Sequence, residues 1–310
     1  MKNHKKVLIS GSLVFDTLFE LTTPIREQIV IKDGKAGKQN LMFNARDKEV
    51  YFGGTAGNIA YGSRLLGDST IVASIVGRDF EEYAKHLKHG GAQVRLYRDE
   101  KSYTATYYSM TDPSSEQIGI FQGSAYHKHV EHVPLTRLLL ASDWKSIGVG
   151  IFAAGTAKSI VKQLKEFRKF APEEALAIFD PGQMLMIDFT RELVCEALRN
   201  ADILVLNDTE FLHLKKKFNI TLEKIFEKGT KYIIETRGAA GSVLYIEEAE
   251  FAVKAFKVKK VVDPTGAGDA FRAGLIHGLL SGLSIPDAMR IGGKLGAACV
   301  QTNGGQTYKV

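Results

Sequence analysis

Cysteine is scarce: among 310 residues only Cys195 and Cys299 occur. Each lies inside an apolar helical pattern, which reads as two buried free thiols in a reducing compartment and not as a disulfide framework. Uncharged apolar stretches of bilayer-spanning length are missing. The polar segment Met1 to Lys6 runs straight into a strand-like Val7-Leu8-Ile9, so no signal peptide or membrane partner is expected, and a cytoplasmic location is. Basic runs are short, the longest being Lys215-Lys216-Lys217. No basic stripe interleaves with aromatics, which argues against nucleic acid as a partner. Internal repeats and low-complexity segments are absent too.

What is present suits a globular chain with a large core: 45% hydrophobic residues, 25% charged, and a formal net charge of +6 from 41 basic and 35 acidic side chains. A mild positive field favours anionic ligands such as nucleotides, although a solvated surface explains the same balance. Short strand-like runs at Val7 to Ser10, Thr70 to Val76, Ser146 to Ile151, Ala175 to Asp180, Asp202 to Leu206 and Tyr232 to Thr236 alternate with helical patterns. The helical stretches are Gly57 to Leu66, Asp79 to Lys88, Ala157 to Phe170, Phe189 to Leu198 and Leu222 to Glu227. That alternation predicts an α/β fold, a doubly wound and mostly parallel sheet flanked by helices, in a single domain over 1–310. Two regions break the pattern, about 13–52 and 94–121. Their period-two alternation predicts a small β-sheet lid over the end of the core, with Gly34 to Lys38 as a mobile turn within it.

The segment richest in chemistry is Asp263-Pro264-Thr265-Gly266-Ala267-Gly268-Asp269, expected between a strand at Val258 to Val262 and a small-residue helix at Ala270 to Leu280. Proline and glycine force a tight turn, and open N–H groups at Gly266, Ala267 and Gly268 form an anion hole at the helix start. Asp269 falls in the first turn, where the helix dipole favours its ionised form. A carboxylate beside an anion cradle makes chemical sense if it withdraws a proton from a hydroxyl that attacks a phosphoryl group. A lone Gly-x-Gly-Asp is more often a capped structural turn. A dinucleotide fingerprint is excluded by Phe271 at the third glycine position, and a Walker A loop by the lack of any Gly-Lys-Ser/Thr.

Asp263-Pro264-Thr265-Gly266-Ala267-Gly268-Asp269-Ala270-Phe271 resembles the C-terminal signature of the ribokinase (PfkB) family of carbohydrate and nucleoside kinases, and the resemblance runs over nearly the whole chain. It implies a ribokinase-like fold, ATP and Mg2+ as cofactors, Asp269 as catalytic base and Gly266 to Gly268 as the anion hole. Pro264 stands where a threonine is commoner, which bears on a K+ site at Asp263. The run Gly53-Gly54-Thr55-Ala56-Gly57-Asn58 matches the family's acceptor-binding motif; paired glycines admit close approach, and an Asn early in a helix offers donor and acceptor to vicinal hydroxyls. Gly11-Ser12-Leu13-Val14-Phe15-Asp16 matches the segment whose carboxylate holds a hydroxyl pair, bringing Ser12 and Asp16 to the acceptor. Asn207-Asp208-Thr209-Glu210 matches the Asn-x-x-Glu element, which implies Asn207 near ATP and Glu210 reaching magnesium through water, as suits an ion that keeps several of its own waters. Thr236, Gly238 and Gly241 match the Thr-x-Gly-x-x-Gly that lines the nucleotide site.

The family spans sugars and nucleosides, so the acceptor needs separate evidence. Gln117 to Ala125 and Phe179 to Gln183 resemble segments of prokaryotic adenosine and broad-specificity nucleoside kinases. Phe121, ending a lid strand, is expected to cover a flat base and Gln183 to join the acceptor site; the alternative packs Phe121 into the lid itself. A ribose or fructose kinase remains the second reading, and a catalytically silent ligand sensor a third, disfavoured by the presence of Asp269, Asn58 and the glycines. A homodimer is compatible with the family. The run His127 to His132 is expected to be an exposed loop and not a metal site.

Overall fold

The computed structural model describes residues 5–29, 31–32, 35–36 and 41–310. Its strands begin with β1 (Lys6–Ser10), β2 (Val14–Leu21), β3 (Ile31–Lys32), β4 (Lys35–Ala36), β5 (Ala45–Gly53), β6 (Thr70–Gly77), β7 (Gln93–Asp99), β8 (Ala105–Thr111) and β9 (Gln117–Gln122). They continue with β10 (Ile147–Ala153), β11 (Leu176–Asp180), β12 (Ile203–Asn207), β13 (Tyr232–Thr236), β14 (Ser242–Ile246) and β15 (Ala249–Val253). Nine form one sheet in the order β15-β14-β13-β12-β11-β10-β1-β6-β7. Pairing is parallel from β13 to β7 and antiparallel for β14 and β15.

The central strands are apolar on both sides because both sides are covered. In β1, Val7 and Ile9 enter one core and Leu8 the other, all fully buried. The first core is closed by helices Thr55–Leu65, Glu81–His89, Ala267–Leu280 and Ile285–Cys299, the second by Ala157–Phe170, Arg191–Arg199, Asp208–Phe218 and Leu222–Glu227. Threonine side chains at 156, 190 and 221 cap three of the latter by accepting a main-chain N–H three residues on.

The second sheet has the order β5-β2-β8-β9. It is built from the two regions that break the helix-strand alternation, except that 94–99 belong to the main sheet: β7 pairs along its length with β6. The expected Gly34 to Lys38 turn lies partly outside the described residues, since 33–34 and 37–40 are not described. Two further departures concern the strands before the signature helix. Residues 258–262 are not a strand; Val261 and Val262 are exposed, and the Val262 N–H makes a single bond, to the Val300 carbonyl. The chain instead reaches that helix from the hairpin β14–β15. No helix among the described residues is long and apolar enough to cross a membrane.

Candidate active site

The carboxyl ends of β1, β10, β11, β12 and β13 lie along one edge of the parallel sheet, where open α/β sheets bind ligands. Asp269 sits in the first turn of helix Ala267–Leu280, whose cap Gly266 has φ +77°. A Cβ there would lie 2.7 Å from Gly305 Cα, so both the backbone and the space require glycine. Thr265 N–H donates to Asp263 Oδ1 at 2.8 Å, and Ala267 N–H turns back to the Pro264 carbonyl at 3.3 Å. Among the three amides expected to form the anion hole, that of Ala267 is therefore engaged. The N–H groups open to an anion are those of Gly266, Gly268 and Asp269.

Asn58, in the second turn-half of helix Thr55–Leu65, donates from Nδ2 to Asp269 Oδ2 at 2.8 Å. Burial raises the Asp269 carboxyl to about 6, with Arg272 and the Asn58 amide acting against that rise and Asp180 with it. Arg272, one turn further along the same helix, is held by Asp180 at the end of β11, through Nε and through Nη2 at 2.7 Å. A Cβ on Gly268 would come within 2.8 Å of that guanidinium. The glycine at 268 thus clears space for Arg272 as well as shaping the turn. Neither Asp180 nor Arg272 was expected in the site; nothing local in the sequence links positions 92 residues apart.

Asp16 lies across from Asp269 on strand β2 of the small sheet. Burial raises its carboxyl to about 7, and the negative charges of Asp269 and Asp263 add to the rise. Its side chain rests on Gly53: a Cβ at 53 would stand 2.5 Å from Asp16 Cγ and 2.9 Å from Oδ1. Gly54 has φ +81°, and a Cβ there would press on the Ser12 carbonyl at 2.6 Å, which itself accepts Ala56 N–H at 3.1 Å. Ser12, Asp16, Gly53, Gly54 and Asn58 are thereby brought into one wall.

Asp16, Tyr107 and Phe121 occupy one cross-strand row of the small sheet, so their side chains share a face. Phe121 is 49% exposed, its edge against His127 at a ring distance of 5.5 Å. It is not packed into a buried core of the small sheet. Gln183 is exposed, at the start of the short helix Met184–Ile187.

On the other side of the sheet, Asn207 and Glu210 cap each other. Asn207 Oδ1 accepts Glu210 N–H at 2.8 Å, and Glu210 Oε2 accepts Asn207 N–H at 2.9 Å. Burial pushes the Glu210 carboxyl up; Asp180 adds to this and Arg272 opposes it. Thr236 neighbours Asn207 in the sheet, and the turn that follows carries Gly238 and Gly241 at φ +52° and +95°. Asp263 accepts Thr265 N–H and, at 2.9 Å through Oδ2, Gly304 N–H.

The histidine-rich run departs from the expected exposed loop. Residues Ser124–His129 form a helix, and His129 meets Asp99 at 3.0 Å. Among the described residues no group of three His, Cys, Asp or Glu side chains could hold a metal ion. Cys195 and Cys299 are both free; Cys299 is buried and Cys195 half-buried.

Residues 25–309 match the pfkB family carbohydrate kinase family. The chain belongs to that family. Among curated relatives, a nucleoside kinase of Methanocaldococcus jannaschii is 30% identical over 260 residues, covering 83% of this chain and 82% of the relative. The crystal structure of Methanocaldococcus jannaschii nucleoside kinase, an archaeal member of the ribokinase family, superposes with a TM-score of 0.85 at 27% identity over 98% of this chain and 94% of that one. The Burkholderia thailandensis nucleoside kinase in complex with ADP-inosine gives 0.78 at 28% identity, over 98% and 92%. The family, the ribokinase-like fold and kinase activity follow.

Proposed function

We propose that this kinase transfers the γ-phosphoryl group of ATP to the 5′-hydroxyl of a nucleoside, with Asp269 as the base. The observation that carries the reading is the pairing of a buried carboxylate, fixed by Asn58 and raised to about 6, with open main-chain amides at the start of the same helix. As the 5′-oxygen attacks phosphorus, its proton passes to Asp269. The new O–P bond forms as the bond to the β-phosphate bridging oxygen breaks, and ADP leaves. The amides of Gly266, Gly268 and Asp269 stabilise charge on the transferred group. Asp16, braced on Gly53, accepts hydrogen bonds from the ribose hydroxyl pair, with Ser12, Gly54 and Asn58 beside it. Asn207, Thr236, Gly238 and Gly241 line the nucleotide side.

Glu210 fits a magnesium ion held mainly by phosphates and water, because its carboxylate is anchored at one oxygen and needs to reach the metal only through water. When bound, that ion neutralises phosphate charge. At Asp263 each carboxylate oxygen accepts one main-chain N–H group, which holds the loop at the helix start.

The nucleoside acceptor is supported by the two nucleoside kinases that this chain resembles over most of its length, one of them in complex with ADP-inosine. The shared lid face of Asp16, Tyr107 and Phe121 supports it too, since a ribose held at Asp16 would direct its base along that row. We read 1–310 as one unit with the small sheet as its lid, working in the cytoplasm where ATP is made available. A homodimer through the lid would cover Val50, Tyr108 and Ile120, which are exposed. A panel of adenosine, inosine, cytidine, ribose and fructose with magnesium ATP, followed by ADP release, tests the function. Nucleosides are expected to give ADP; turnover of ribose or fructose alone would make this a sugar kinase.

A further inference from the structure

Behind Asn58 lies a buried chain of hydrogen bonds whose direction is fixed at one end by a main-chain carbonyl. The Gly53 carbonyl can only accept, so the Tyr83 hydroxyl, 2.7 Å away, donates to it. That hydroxyl then accepts from its other neighbour, Gln306 Nε2, at 2.7 Å. The Gln306 amide is thereby oriented, with nitrogen inward and its oxygen toward His86 Nε2 at 3.1 Å. The same nitrogen donates to Asn58 Oδ1 at 3.1 Å, which leaves Asn58 Nδ2 to face Asp269 at 2.8 Å.

We propose that Gln306 is a positioning residue for proton transfer: it locks Asn58 in the amide orientation that presents a donor to Oδ2 of Asp269 and leaves Oδ1 for the acceptor hydroxyl. This rests on Asp269 being the base. The segment 303–308 is packed tightly enough to transmit such a constraint. A Cβ on Gly305 would stand 2.8 Å from Asn58 Cγ and Nδ2, so the strap lies directly on the Asn58 amide. A separate tether, from the Tyr61 hydroxyl to the Tyr308 carbonyl at 2.8 Å, holds the strap without entering the amide chain.

The charged and titratable groups around Asp269 are Arg272 on its own helix, Asp180 at the end of β11 and Asp16 on the lid. Cys299, Tyr83 and Tyr308 approach from helices Ile285–Cys299 and Glu81–His89 and from the strap. Burial pushes the His86 imidazole, at the far end of the chain, below its usual value, and the bond to Gln306 opposes this. Gln306→Met brings in no charge, and losing its bonds pushes the His86 imidazole further down and the Tyr83 hydroxyl further up, toward their neutral forms, so a change in the ionisation of Asp269 would come through Asn58.

The test is kcat against pH, over roughly pH 5 to 9, with magnesium ATP and inosine, alongside Tm for each protein. Gln306→Met is expected to lower kcat about 10-fold at pH 7 and to move the acid limb to higher pH, because the base loses an oriented donor. Gln306→Glu should move it further, since two carboxylates then compete for the one Asn58 NH2. Tyr61→Phe should lower Tm and leave the acid limb in place. If Gln306→Met does not fold, Tyr83→Phe carries the same test with a smaller upward movement. Gln306 variants whose acid limb stays with the wild type, or moves no more than that of Tyr61→Phe, overturn the positioning role while leaving the kinase reading intact. No nucleotide product from the wild-type protein would overturn both.

Discussion

Replacing Gly53 by alanine adds one methyl group directly against Asp16. Its Cβ would overlap Asp16 Oδ2 and stand 2.5 Å from Cγ, and ordinary contact begins at 3.4 Å, so the carboxylate must retreat by at least 3.4 − 2.5 = 0.9 Å. A hydrogen bond near its best length does not survive a displacement of that size in line with it. Two bonds from ribose hydroxyls to a carboxylate are worth about 1.5–3 kcal/mol each, so losing both costs about 3–6 kcal/mol, or roughly 10²- to 10⁴-fold in kcat/KM for the nucleoside. The strand backbone at 53 is not in the left-handed region, so the fold should tolerate the change. The assay is coupled ADP release at varied nucleoside with saturating ATP, then at varied ATP, with Tm measured in parallel. The nucleoside kcat/KM should collapse while the KM for ATP stays within a fewfold. A Gly53→Ala enzyme with wild-type nucleoside kinetics would refute the placement of Asp16 at the acceptor.

Asp16 also carries a pH signature. Its carboxyl is raised from 3.8 to about 7, so the folded protein holds the proton more tightly than the unfolded chain does. The associated stability is fully present below pH 3.8 and is lost as pH rises through about 7, where the ionised form is penalised. Asp16→Asn should therefore raise Tm at pH 8 and change it little at pH 3.5, while weakening acceptor binding. Equal Tm changes at both pH values would contradict the assigned burial. For Phe121→Ala, loss of stacking worth about 1–3 kcal/mol predicts a rise of roughly 5- to 150-fold in KM for nucleosides and no change for ribose, read from paired saturation curves. An unchanged nucleoside KM would remove Phe121 from the base site.

The parts of this molecule that were legible in sequence are those whose signal is local. Val7 to Ile9 is apolar throughout because helices cover both faces, and Gly266 to Asp269 announces a turn into a helix start within four residues. The small sheet was visible through its alternation, but β7 was not separable from it: most of its residues are half-buried, as in the small sheet, although it pairs with β6. Residues 258–262 have strand-forming side chains and no neighbouring strand to bond with, so propensity was overruled by the absence of a partner. The hairpin β14–β15 escaped notice because its outer strand is largely exposed. In the site, Asp180–Arg272 and Asn58–Gln306 join residues 92 and 248 positions apart, and only folding reveals such pairs. The Gly304–Gly305 doublet is the one local trace of the strap that reaches Asn58.

The central claim is that Asp269 removes the proton from the nucleoside hydroxyl. It is tested most directly by comparing Asp269→Asn with wild type in a single assay of kcat and nucleoside affinity. A fall in kcat of about 10²-fold or more is expected, with nucleoside binding largely retained. Near-normal turnover in the Asn variant would contradict it.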